Sequence, residues 1–395
     1  MLDDVLVASS SVGDRRTGVS GMTAPWALGS AAARVQAELS GSGPSVVAVD
    51  IGGTHTRAAI TGPSGFERLI VQRTADLASR DGQGVMPGVL ETVEQLIRSS
   101  STEVRPAAIG VAVAAYVGVS GAVLQSRPFG IQAGNGVRDL LSERFGVPVV
   151  VDNDANLAAV AEVTAGAGRG LENVAVITLG TNIGLGIVAD GRILRGAHGA
   201  AGEAGTLLVP ARRGLDGKAD VAKAGRLGFG ATTAPGGYVL LEELVGGGAL
   251  LRSTCQSDAN MPSRPSSETT ADGIFPRAAS GDRRARAAVR HAIEGWAMLI
   301  ADLVALLDPD AFVLSGGLIV EAPAFIEPLR RRAEDLCPLP PEIRIGDLGA
   351  QSGLVGAVVA ARSALRGQRG ADRHDGPESQ TNRRTSGYFS WEVER

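Results

Sequence analysis

The sequence predicts an α/β protein made of two related halves, and three observations predict it. Apolar, β-branched runs recur and end in short Asp, Asn or Gly clusters. Two of those endings are Gly/Thr turns leading straight into another strand, one in each half of the chain. Stretches with the helical spacing of apolar residues lie between the strands. Open α/β sheets place their ligands at the carboxyl ends of strands, so the clusters are where chemistry is expected.

The first element is 46–49 (VVAV), apolar throughout as a strand buried on both faces must be. Asp50 stands at its end, then Gly52, Gly53 and Thr54. Two glycines let the backbone turn sharply and present N–H groups to an anion. Thr54 and Thr56 add hydroxyl donors. Arg57-Ala-Ala-Ile then resumes a strand, so this is a strand–turn–strand hairpin and not a Walker or Rossmann loop. Alone, a turn that merely needed glycine accounts for it equally well. Residues 90–99 (LETVEQLIRS) follow with helical periodicity.

The second cluster lies in 149–162, VVVDNDANLAAVAE. An apolar run delivers Asp152, Asn153 and Asp154 at a strand end, Asn156 follows, and an alanine-rich helix begins. One short carboxylate or amide before a helix is a cap; four in five positions exceed what capping requires. A carboxylate here can accept a proton from a substrate hydroxyl while amides hydrogen-bond a polyol.

The third cluster, in VAVITLGTNIGLGIV (174–188), repeats the opening: strand, Gly180-Thr181-Asn182, strand. Two such hairpins suggest a duplicated domain whose cleft holds a phosphate chain between two turns. Residues 283–307 read as a long helix, with Trp296 and Met298 assigned to the core or a subunit interface. A last strand in 311–319 (AFVLSGGLI) ends in Ser315, Gly316 and Gly317, where bare backbone suits a nucleoside.

In combination these segments resemble the ROK family (repressor, open reading frame, kinase) of bacterial sugar kinases and sugar-responsive regulators. The family belongs to the hexokinase/actin/Hsp70-like ATPase superfamily. Its DIGGTxxxxA, NDANxAAxxE, TLGTGIGxGxxxxGxxxxGxxGxAGExGH and late LxGG read here DIGGTHTRAA, NDANLAAVAE, TLGTNIGLGIVADGRILRGAHGAAGEAGT and LSGG. The resemblance implies a two-domain actin/hexokinase-like (ribonuclease H-like) α/β fold with the site in the interdomain cleft. It also implies an ATP-dependent kinase transferring the γ-phosphoryl group to the 6-hydroxyl of a hexose or N-acylhexosamine.

Roles carry over position by position. Asp154 is the implied general base, and Asn135, Asn153, Asp154, Glu203 and Glu242 the implied sugar contacts. Gly52, Gly53 and Thr54 would face the β/γ-phosphates, with Gly180 and Thr181 closing from the other side. Gly316 and Gly317 would flank the nucleoside. Asp50 would hold magnesium through water, since that ion keeps part of its hydration shell. Asp152 occupies a spot where the family needs no acid and is expected to be structural. A homodimer is implied. The alternative reading is a ROK-type regulator that senses sugar with little or no catalysis; a further one keeps the kinase but takes polyphosphate, hinted at by Arg212, Arg213, Lys218 and Lys223.

Three departures stand out. Thr206 replaces the family's sugar- and zinc-binding His, and 210–241 contains no Cys or His. Zinc wants about four soft or imidazole ligands, so no structural zinc is expected, and His198 is read as a loop residue. Asn182 replaces a glycine and is expected to tolerate left-handed backbone geometry.

Composition is that of an ordinary soluble protein. A net charge of −4 offers no basic field for nucleic acid, and 4% aromatic residues leave little for base stacking. No run reaches the ~18–20 apolar residues of a membrane span. Two distant cysteines, Cys255 and Cys337, favour a reducing cytoplasm over a disulfide framework. The N-terminus shows acids at Asp3 and Asp4 and no secretory core. Residues 1–44 and 367–395 are expected to be disordered tails. A small domain of 45–151 plus 353–366 and a large one of 152–352 are expected between them.

Overall fold

The structure, a computed structural model, describes residues 43–62, 65–79, 84–100, 105–125, 133–134, 136–210, 238–255, 273–321 and 323–371. The chain opens with β1 (Val46–Ile51), β2 (His55–Gly62), β3 (Gly65–Arg73), α1 (Met86–Arg98) and β4 (Ala108–Val113). A short ribbon, β5 (Tyr116–Val117) and β6 (Val123–Gln125), precedes α2 (Gly136–Phe145), β7 (Val149–Asn153) and α3 (Asp154–Ala165). Then come β8 (Val174–Leu179), β9 (Ile183–Ala189), β10 (Arg192–Ile193), β11 (Leu208–Pro210), β12 (Tyr238–Leu240), α4 (Leu241–Val245) and α5 (Gly247–Cys255). The chain continues through α6 (Ile274–Ala279), α7 (Arg283–Leu307), β13 (Ala311–Ser315), α8 (Gly317–Glu321), α9 (Ile326–Leu336), β14 (Ile343–Ile345) and α10 (Ser352–Ala371).

The first sheet has the order β3-β2-β1-β4-β7. β1, β4 and β7 are parallel, while β2 and β3 fold back antiparallel. Val47, Val49 and Ile51 share a core with Val89, Val93 and Leu96 of α1. Alternation sends Val46, Ala48 and Asp50 to the other face, which α10 covers. The helix lies so close there that a Cβ on Gly110, the partner of Ala48, would stand 2.0 Å from the Ala357 carbonyl. Each large apolar side chain so buried contributes roughly 1.5–3 kcal/mol. β1 is therefore stabilised on both faces, and Asp50 is its one polar residue.

Helix α3 packs on the same α10, where a Cβ on Gly356 would collide with the Leu157 carbonyl. Glu162, fully buried in α3, accepts backbone N–H bonds from Ala167 (3.0 Å), Asp347 (3.2 Å) and Leu348 (3.3 Å). Burial raises its pKa and those three donors oppose the rise. The carboxylate thereby ties the end of α3 to the segment leading into α10.

The second sheet has the order β10-β9-β8-β13-β14, with β13 and β14 parallel. α7 spans the residues its periodicity predicts. The Asp282 side chain caps it by accepting from the N–H groups of Arg284 (2.9 Å) and Ala285 (3.1 Å). Trp296 is a core residue whose indole N–H donates to the Val245 carbonyl (3.1 Å), whereas Met298 is exposed.

The described residues group into two compact units: 43–176, 185–202 and 346–371 in one, 177–184 and those within 203–345 in the other. The first unit takes in the last two residues of β7, Asp152 and Asn153, and α3, which the sequence reading allots to the large domain; β7 pairs in register with β4, and α3 rests on α10. α10 also runs to Ala371, five residues into the stretch expected to be a tail. That stretch lacks an apolar pattern, but extending an existing helix needs only one more backbone hydrogen bond per residue. Among the described residues no helix is long and apolar enough to cross a membrane.

Candidate active site

The parallel register fixes the first half of the site. Asp50 pairs with Ala112, and Ala112 with Asp152; Ile51, Val113 and Asn153 form the next row. The carboxyl ends of β1 and β7 thus lie on one edge, about 10 Å apart at ~4.8 Å per strand. Asp50 and Asp154 both reach this edge.

Asp50 is buried on the α10 face, and a Cβ on Gly353 would stand 3.2 Å from its carboxyl. Its cross-strand partner Arg57 donates to it from 3.4 Å. Burial raises Asp50 to about 7, against the pull of Arg57 and helped by the charge of Asp154. Asp154, half-buried in the first turn of α3, is raised by burial to about 6, with the N–H groups of Ala155 and of Asp154 itself opposing. Each carboxyl's charge state therefore bears on the other.

Asn153 and Asp152 prove to be framework. The Asn153 carbonyl oxygen caps α3, accepting from Ala155 (2.8 Å) and Asn156 (3.2 Å), and its amide donates to Ala115 O (3.0 Å). One amide hydrogen is left for an external acceptor. Asp152 accepts from Arg195 (2.6 and 3.2 Å) and Asn156 (3.1 Å), so the acid expected to be structural ties β7 to the loop that delivers Glu203.

The turn after β1 is built from backbone. The Gly52 N–H donates to His55 O (3.1 Å), while Gly53 and Thr54 are exposed. Thr74 grips this turn. Its hydroxyl donates to Gly52 O (2.7 Å), its N–H donates to Thr54 O (2.9 Å), and it also bonds the Thr56 hydroxyl (3.0 Å).

In the second unit, the Gly180 N–H donates to Asn182 O (3.1 Å). The turn's own carbonyls, Gly180 O and Thr181 O, accept from Gly247 (2.9 Å) and Gly248 (3.1 Å). Asn182 does not need the left-handed conformation it could tolerate; the only non-glycine residues at positive φ among those described are Asp190 and Asp308. The turn closes without that geometry, so the replacement of glycine carries no backbone strain.

Gly316, at φ 95°, lies against β8: a Cβ would stand 2.5 Å from Leu179 O. Beside it Gly317 faces open space. Glu203 opens a 3-10 turn whose Thr206 gives both its N–H (3.0 Å) and its hydroxyl (2.8 Å) to the Glu203 carbonyl. The Glu242 carboxyl lies next to this turn, 2.9 Å from where a Gly205 Cβ would sit. Glu203 and Glu242 are thus brought together, although the sequence separates them widely.

Of the sequence-predicted residues, Asp50, Gly52, Gly53, Thr54, Asn153 and Asp154 belong to the first unit. Gly180, Thr181, Glu203, Glu242, Gly316 and Gly317 belong to the second. Asn135 and residues 211–237, most of the segment where no zinc is expected, lie outside the described residues. His198 is exposed in its loop. Thr74, Arg195 and Glu162 escaped sequence reasoning as functional supports. Only Glu162 carried a signal, as the last residue of NDANLAAVAE.

The ROK family model matches residues 46–364. The glucokinase of Halalkalibacterium halodurans is 32% identical over 225 residues, 56% of this chain and 65% of that protein. The bifunctional enzyme NanE/NanK of Brucella melitensis is 29% identical over 313 residues, 79% of this chain and 52% of that protein. This chain therefore spans less than two thirds of either relative's length. A ROK family glucokinase from Streptomyces griseus, solved in complex with glucose and AMPPNP, superposes with a TM-score of 0.63 at 26% identity, covering 80% of this chain and 99% of that one. A ROK hexokinase from Thermus thermophilus superposes at 0.62 with 28% identity, covering 82% and 99%. With its motifs in order, its two α/β sheets and its acid-bearing strand ends, the chain belongs to the ROK family.

Proposed function

We propose that this protein is an ATP-dependent sugar kinase that transfers the γ-phosphoryl group to the 6-hydroxyl of a hexose or N-acylhexosamine. The observation that carries the reading is the placement of two carboxyls, the buried Asp50 and the half-buried Asp154, at one sheet edge beside an exposed glycine turn. Phosphoryl transfer asks a protein for alignment and charge neutralisation more than for covalent chemistry.

Asp154, ionised above about 6, accepts the proton of the attacking sugar hydroxyl. The spare amide hydrogen of Asn153 and the carboxylates of Glu203 and Glu242 orient the sugar, carboxylates being acceptors for polyol hydroxyls. Gly52, Gly53 and Thr54 cradle the donor phosphates together with Gly180 and Thr181, and Gly316 and Gly317 leave room for the nucleoside. A single carboxylate such as Asp50 fits magnesium, which takes most of its ligands from water and phosphate; when bound, the ion neutralises phosphate charge. We further propose that the protein works as a cytoplasmic homodimer.

The similarity to glucokinases supports a hexose acceptor, and the test separates hexoses from N-acylhexosamines. ADP release is measured with magnesium and ATP across a panel of hexoses and N-acylhexosamines. Turnover with at least one is expected. Folded protein that turns over none of them overturns the proposal.

A further inference from the structure

We propose that Thr74, assisted by Thr56, is a positioning residue that aims the Gly53 N–H, in the turn after β1, at the donor's phosphates. The proposal rests on the reading of that turn as a nucleotide-phosphate site.

Proton counting sets the direction of the bonds. A threonine hydroxyl has one hydrogen. Thr74 gives its hydrogen to Gly52 O (2.7 Å), so in the 3.0 Å Thr56–Thr74 contact Thr56 is the donor. Both threonines are 2% exposed, and water is no ready substitute for either. The chain of donation therefore runs Thr56 to Thr74 to Gly52, with the Thr74 N–H holding Thr54 O as well.

Peptide planarity carries this inward pull outward. In a trans peptide the C=O and the following N–H point in opposite directions. Holding Gly52 O towards Thr74 turns the Gly53 N–H away from it. That N–H, on an exposed glycine, is thereby set to face an anion such as a phosphate oxygen. Thr74 touches no substrate in this scheme; it acts through the backbone it holds.

Thr74→Val keeps the side-chain shape but leaves the Gly52 carbonyl and the Thr56 hydroxyl without partners. Thr74→Ser keeps the hydroxyl. Full-length wild type and variants are titrated calorimetrically with magnesium and AMPPNP, and sugar KM is measured in parallel. The proposal expects Thr74→Val to weaken nucleotide binding by about tenfold, ~1.4 kcal/mol. Thr74→Ser should stay within about threefold and sugar KM within about twofold. Unchanged nucleotide affinity in folded Thr74→Val overturns it; so does equal loss in the serine variant, or a sugar KM that rises alongside. Should Thr74→Val fail to fold, Thr56→Val decides. Nucleotide binding about threefold weaker then supports the proposal, and no change overturns it. Wild type that binds nucleotide but phosphorylates no sugar defeats the kinase reading and leaves the positioning role to be read from binding. Wild type that binds no nucleotide defeats both.

Discussion

The two Gly/Thr turns look alike as sequence and are held in different ways. The turn after β1 is gripped from outside by side chains, through the hydroxyl of Thr74 and, behind it, that of Thr56. The turn after β8 is gripped by backbone, its carbonyls bonded to the N–H groups of Gly247 and Gly248 at the start of α5. A side-chain brace can be removed by one conservative substitution. A backbone brace is disturbed only by changing where the chain runs. The same local motif therefore carries different vulnerabilities in the two units.

The largest expected effect sits on neither turn and provides the reference for both. Asp154→Ala should lower kcat by roughly 10²–10⁴-fold, the usual worth of a general base, with AMPPNP affinity retained. A comparable loss of affinity would mean that Asp154 supports the donor site instead.

Gly316→Ala attacks the backbone-held turn, since its Cβ would push on Leu179, the residue before Gly180. At φ 95° it should also cost on the order of 1–3 kcal/mol of stability, read as a lower denaturant midpoint. Gly246→Ala, whose Cβ would stand 2.6 Å from Glu242 O and 3.2 Å from Thr181 O, should push chiefly on the end of α4 and disturb the same turn less. Its expected sign is a higher KM for ATP than in Thr181→Val, which leaves the carbonyl brace intact.

The pH dependence reads the first unit alone. Because Asp154 is raised to about 6 and must be ionised to act, kcat should fall as pH drops through about 6. A rate flat down to pH 5 would remove it as the base. Stability should move the other way. Asp50 is raised from 3.8 to about 7, so its contribution is full below the unfolded value and is lost as pH rises through about 7. Asp50→Asn should accordingly narrow the gap in Tm between pH 5.5 and pH 8, the smallest effect of this set.

What was legible in the sequence was whatever repeats locally. β1, the Asp152–Asn156 cluster and α7 announce themselves by periodicity and by polar residues at strand ends. Thr74, Arg195 and Glu162 do not, because each serves backbone or carboxylate groups far along the chain: 22 residues from Thr74 to Gly52, 43 from Arg195 to Asp152, 186 from Glu162 to Leu348. A lone threonine or arginine has no period to betray it. At Asn182 the tolerance read from the sequence is not called upon, because the turn closes without positive φ there. Glu203 and Glu242 came from resemblance, and only tertiary packing explains why they belong together.

The face of β1 and β4 that bears Asp50 is covered by α10, a helix far along the chain. During synthesis Val46 and Ala48 must wait for a helix about 300 residues downstream, and Ala112 for the same helix about 240 residues on. Such long-range closure is slow and leaves apolar surface open to aggregation. Chains cut before Ser352 should therefore depend on chaperones, and catalytic competence should arrive only once α10 is in place.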